Sequence, residues 1–172
     1  MTNFKADTLS DFIEAAAKEY GAGSLGKTEP VTTREPFLFK DGKLTKVSFT
    51  FKATVDFAAF GGGEHKGKPD KANRDAIAQA VQLSLEHERK HKAGYEAAFK
   101  QWNAQAVKDL KAGTFKDKKE AEDAIDAKML ELNDKLRDAC LDLHSKEGLI
   151  QVTRKGGSIN VTMTAAGKSG CD

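Results

Sequence analysis

The feature that most limits how this chain can fold is an uninterrupted helical pattern after Pro69, broken only at Gly113. Apolar or semi-apolar side chains recur at helical spacing along it: Ile77, Val81, Ser84, Glu88, His91, Tyr95, Ala98, Trp102, Ala106 and Leu110. Asp70 is placed to cap its start, and Gly113 stops it after Ala112. A second helix follows at once, capped by Thr114 or Asp117, with Asp117-Lys118-Lys119-Glu120 forming a capping box. Its apolar face reads Ala121, Ile125, Met129, Leu132, Leu136, Cys140 and Leu143, and Gly148 is placed to end it. So short a connection predicts an antiparallel helical hairpin.

His87-Glu88-Arg89-Lys90-His91 lies in the middle of the first helix and reads HExxH. Residues four apart on a helix share one face, one turn above the other. Two imidazoles can therefore reach one metal ion, and Glu88 can reach a water beside it. The motif occupies the apolar stripe, where a charge without a partner is costly, and a cation is such a partner. This chemistry points to zinc: the ion acidifies a water and the carboxylate removes its proton during attack on a carbonyl.

A catalytic zinc site needs a third protein ligand and an open position. With the hairpin turn centred near Thr114, His91 lies opposite about Asp138 and His87 opposite about Asp142. Asp138 and Asp142 turn away from the face of Leu136 and Cys140, whereas His144 and Glu147 continue it. These two supply the third ligand and an auxiliary group that stabilises an oxyanion or holds a ligand, in either assignment.

The rest of the chain predicts an α+β fold. Thr8 to Asp11 cap a helix reaching Tyr20, with Leu9, Phe12, Ile13, Ala16 and Ala17 inward, ended by Gly21 and Gly23. A loop to Pro30 leads to a strand from Val31 to Phe39, which Pro36 limits to an edge or to two pieces. Lys40-Asp41-Gly42-Lys43 is a hairpin turn. From Val47 to Ala59 apolar and polar residues alternate, which predicts a half-buried strand in an antiparallel sheet. The loop Gly61 to Pro69 is either a mobile connection or a flap bringing Glu64 or His65 to the metal. Leu149 to Thr153 and Ser158 to Thr164 form a closing β-hairpin, and the tail from Ala165 reads as disordered.

The chain of 172 residues is read as one domain. A net charge of +2 gives no reason to expect nucleic acid or an anionic membrane as partner. Met1 to Leu9 is polar and lacks a hydrophobic signal core, and no apolar run would span a bilayer. The expectation is a protein that stays in the cytoplasm or leaves by a signal-independent route. Two cysteines are too few for a disulfide framework; Cys140 fits a buried helix position and Cys171 a loose tail.

HExxH together with Leu141-Asp142-Leu143-His144-Ser145-Lys146-Glu147-Gly148 resembles a bacterial family of zinc-dependent proteases of the zincin type. Members pair HExxH with a later Tyr-Asp-x-x-Thr-x-His-Gly. Asp142 and Gly148 agree with that pattern, Ser145 is similar to its threonine, Leu141 departs from its tyrosine, and Glu147 stands where it has a histidine. The resemblance spans about Ala76 to Gly148 and implies a zincin-like metallopeptidase with a His87-His91-Glu147 zinc site. Glu88 would be its base, with His144 as the auxiliary catalytic group. Members are usually exported. A strand before the HExxH helix often runs along the cleft in such enzymes, which makes Val47 to Ala59 either a substrate-pairing strand or an ordinary sheet strand. The expected substrate is a peptide, a protein or peptidoglycan, and the size also suits a bacterial effector or toxin. The alternative is a non-catalytic hairpin that binds a partner, with HExxH as ordinary surface or as a structural zinc site closed by Glu64 or His65.

Overall fold

The structure, a computed structural model, describes residues 1–168 and 171. Its elements run β1 (Thr2–Phe4), α1 (Leu9–Tyr20), β2 (Gly26–Arg34), β3 (Leu38–Lys40), β4 (Lys43–Lys46), β5 (Phe49–Phe60), α2 (Lys71–Ala112), α3 (Lys118–His144), β6 (Gly148–Lys155) and β7 (Ser158–Ala165). The fold is α+β: three helices, small and mainly antiparallel sheets, and the long helix pair. Among the described residues no helix is long and apolar enough to cross a membrane.

The 42 residues of α2 make a rod about 63 Å long. The Asp70 carboxylate accepts from the Asn73 amide at its start, as the Asp117 carboxylate accepts from the Glu120 amide at the start of α3. One long stripe of α2 is buried, from Ala76 to Leu110, and it serves two apolar clusters. The first half, with Ala76, Ile77 and Ala80, packs with Leu9, Phe12 and Ala16 of α1, Ala58 of β5 and Val161 of β7. The second half, with Tyr95, Trp102, Ala106 and Leu110, packs with Leu44, Phe49 and the inner face of α3 from Ala121 to Cys140. Between the two clusters the stripe turns polar, at Ser84, His87, Glu88 and His91, all buried.

β5 is the central strand of a three-stranded sheet, antiparallel to β2 and, over three residues, parallel to β1. Its alternation holds through Phe49 and Ala53, but at the far end Ala58 is buried rather than Phe57 or Ala59. There α1 and the first turns of α2 cover the other face.

Four expectations are corrected. The stretch before Pro30 is not a loop: β2 begins at Gly26 and carries Pro30 within it. A proline is tolerated because β2 is an edge strand, bonded among the described residues to β5 alone. α3 ends at His144, capped by Ser145, and Gly148 opens β6 instead of closing the helix. The loop from Gly61 is no flap over the cleft. The Glu64 and His65 amides donate to Asp7 Oδ1 at 2.9 and 3.1 Å, and the His65 ring pairs with the Asp7 carboxylate, so the loop is tied to the N-terminal segment. Nor is the tail loose from Ala165, which lies in β7; Cys171 is buried and joined to Cys140 by a disulfide. Two cysteines make no framework, but one bridge staples the chain end to α3. Residues 169, 170 and 172 of the expected tail lie outside the described residues.

The hairpin depends on the buried apolar face of α3. Leu132 is fully buried in it. Leu132→Ala is expected to lower stability by about 2–5 kcal/mol in a denaturant titration, through lost burial and the cavity left behind.

Candidate metal centre

His87 and His91 are held one turn apart on α2, and His144 faces them from the last residue of α3. His91 Nε2 lies 3.1 Å from His87 Nε2 and 2.9 Å from His144 Nε2. One metal ion could be held by the three imidazoles, all buried. Four nitrogens arranged tetrahedrally around zinc at about 2.0–2.1 Å would stand about 3.3 Å from one another, close to the spacing present.

Electrostatics fits the same reading. Burial pushes His91 down to about 3, helped by the neighbouring His87 and His144. It also lowers His87, against the opposing pull of Glu147. Neutral imidazoles are the form that ligates a metal. Without a cation the arrangement is costly: each short nitrogen–nitrogen contact has room for one proton, and His91 Nδ1 is buried with no hydrogen-bond partner among the described residues.

Glu147 does not join the three nitrogens. The chain turns after His144, with the Glu147 amide donating to the Leu143 carbonyl. This brings the Glu147 carboxylate to the outer nitrogen of His87, 3.2 Å from Nδ1, where it also binds Lys90 Nζ at 2.7 and 2.9 Å. Burial raises the Glu147 pKa, but Lys90 and His87 outweigh it and hold the carboxyl below its ordinary value. A carboxylate on the far nitrogen of a ligating histidine fixes the tautomer that leaves Nε2 free for the metal. The geometry thus arranges the two residues the reverse of what the resemblance implies: His144 lies with His87 and His91, and Glu147 lies against the outer nitrogen of His87. The reason is register. His91 faces His144 and Asp109 faces Lys128, pairs centred on the start of α3 rather than on Thr114. Asp142 points outward to Lys146, as its place on the helix required.

Glu88 is 4% exposed, and burial pushes its carboxyl up to about 7. Thr28 Oγ1 of β2 lies 2.8 Å from Glu88 Oε2 and 2.9 Å from the Glu88 carbonyl, so it steadies the carboxylate and its helix turn. Close approach of β2 requires Gly26: a Cβ there would sit 2.8 Å from the Asp56 carbonyl oxygen and 2.9 Å from Glu88 Cγ. Gly148, at a φ of +147°, has a similar role beside His144: a Cβ there would sit 2.6 Å from Ala166 Cβ and 3.2 Å from the His144 ring.

The site opens into a cleft of about 350 Å³, lined by the three histidines, Glu88, Tyr95, Ser24 and the first residues of β2, Gly26, Lys27 and Thr28. The wall strand is therefore β2, not the Val47–Ala59 strand considered from the sequence. Thr28 was missed because it was placed in a loop. Tyr95, expected as core, stacks on His91 and also lines the cleft, with its phenol kept protonated by burial and by Glu88. His65 and Glu64 take no part. No protein family, curated protein or solved structure matched the chain.

A pH prediction follows for metal-free protein. A carboxyl raised from 4.5 to about 7 binds its proton more tightly when folded, so its contribution to stability is complete at acid pH. That contribution is lost as pH rises from 4.5 through 7. In EDTA, Glu88→Gln should be more stable than the parent by about 3 kcal/mol above pH 8, and the gap should close below pH 4.5. Denaturant melts across that range check it.

Proposed function

We propose that this chain is a zinc-dependent hydrolase of the metallopeptidase type, cleaving a peptide or amide bond. The observation that carries the reading is the convergence of three imidazole Nε2 atoms beside a buried carboxylate, at the wall of an open cleft. A bound zinc ion would supply Lewis-acid chemistry, lowering the pKa of a coordinated water to about 7 and polarising a carbonyl. His87, His91 and His144 would hold it through Nε2. Glu147 keeps the His87 proton on Nδ1, with Lys90 neutralising the carboxylate from outside. Thr28 engages Glu88 Oε2, which leaves Oε1 to take the proton of the attacking water and return it to the leaving amine. Tyr95, which stacks on His91 and lines the cleft, would supply a hydrogen bond to the developing oxyanion in place of His144. The unpaired edge of β2 along the cleft suits an extended peptide or protein substrate.

The likeness to zincin-type proteases supports this reading through HExxH and its helix alone, since the later motif serves differently here. The test is digestion of a denatured protein mixture by the zinc-loaded chain, with new ends read by mass spectrometry. Glu88→Gln should bind zinc like the parent and lose hydrolysis by about 10²–10⁴-fold. Equal cleavage by that variant would contradict the assignment of the base.

The exchanged roles give a second test. His144→Ala removes one of three ligands and should weaken zinc binding by orders of magnitude. Glu147→Ala removes only the partner of His87 and should cost about 10–100-fold. Competition titration against a chelator separates the two; the reverse order would restore Glu147 as ligand.

A further inference from the structure

The cysteine bridge lies directly behind the metal centre. Cys140 and His144 are four residues apart on α3 and share one face, the same spacing that brings His87 and His91 together. Cys171 reaches them from the chain end, guided by the Ala166 and Gly167 amides, which both donate to the His144 carbonyl at 2.9 and 3.1 Å. Cys171 Sγ stands 3.3 Å from His144 Nδ1. The ligand atoms of Cys140, His144 and Cys171 all lie within 4.8 Å of one another, and all three residues are buried. His144 thus presents one ring nitrogen to two histidines and the other to two sulfurs.

We propose that reducing the Cys140–Cys171 bond creates a second metal site, formed by the two thiolates and His144 Nδ1, for a thiophilic divalent ion such as zinc. Zinc bonds of about 2.3 Å to sulfur and 2.0–2.1 Å to nitrogen place those atoms about 3.5 Å apart, near the spacing already present. The two sulfurs must separate to about 3.8 Å, a side-chain movement for residues whose Cα atoms are 5.7 Å apart. The chemistry balances. A phosphine reductant gives two electrons, takes an oxygen atom from water and leaves as its oxide. The sulfur–sulfur bond breaks into two thiols, and both thiol protons are released as the thiolates bind the ion.

The two sites compete for one residue. A neutral imidazole ligates through Nε2 while Nδ1 keeps the proton, or through Nδ1 while Nε2 keeps it. Reduction therefore draws His144 away from His87 and His91, so the redox state of the bridge selects which metal set is complete. This competition rests on the three-histidine reading; the thiolate site does not.

Cobalt(II) is the probe, because sulfur ligation gives a near-ultraviolet charge-transfer band that nitrogen ligation lacks. The oxidised parent should bind cobalt without the band. Phosphine treatment should bring it up, and Cys171→Ser should abolish it. His87→Ala/His91→Ala, which disables the first site, should keep the reductant-dependent band, so the second site is tested even where the first reading fails. Helical circular dichroism is recorded on the same samples. A reduced chain that keeps its helices but shows no band overturns the proposal. So does a reduced chain that loses its helices, because the sulfurs are then no longer held beside His144.

Discussion

Burial of two imidazoles and a carboxylate on one face of α2, with a third imidazole facing them from α3, is the constraint around which the rest is arranged. Polar groups are stable inside a protein only when partnered. Here they occupy the seam between two apolar clusters, where the stripe of α2 passes from packing against α1 to packing against α3. Each cluster holds one end of the helix, so the seam is fixed from both sides and His87, Glu88 and His91 keep their relative positions. A cation at the seam would satisfy groups that otherwise press nitrogen against nitrogen.

Two further devices complete the seam. Thr28 reaches Glu88 from an edge strand that comes close only because Gly26 has no side chain. His144 arrives from the opposite helix, backed by Gly148, by the amides after β7 and by the disulfide. Function as proposed therefore depends on chain segments from nearly the whole sequence, although three of its residues are a single turn of helix.

Local signals carried much of the architecture. The α2 stripe, the caps at Asp70 and Asp117, the Gly113 break and the closing β-hairpin all follow from periodicity and capping chemistry within a few residues. That His87, Glu88 and His91 share one face of α2 was legible for the same reason, since i, i+4 spacing is a local property. What was not legible depended on distance along the chain. The pairing of His144 rather than Glu147 with His91 turns on where the hairpin centre lies, and five residues of connection moved it. β2 was misplaced because Pro30 reads as a breaker unless the strand is known to be an edge. The Cys140–Cys171 bridge joins residues 31 apart, and no spacing rule links one pair of cysteines.

X-ray absorption at the zinc edge of the oxidised protein, loaded with one equivalent of metal, tests the central claim most directly. The account predicts nitrogen or oxygen neighbours only, at about 2.0–2.1 Å, with outer-shell scattering from three imidazoles and loss of one of them in His144→Ala. A spectrum with a sulfur neighbour, with two imidazoles, or unchanged by that substitution would contradict it.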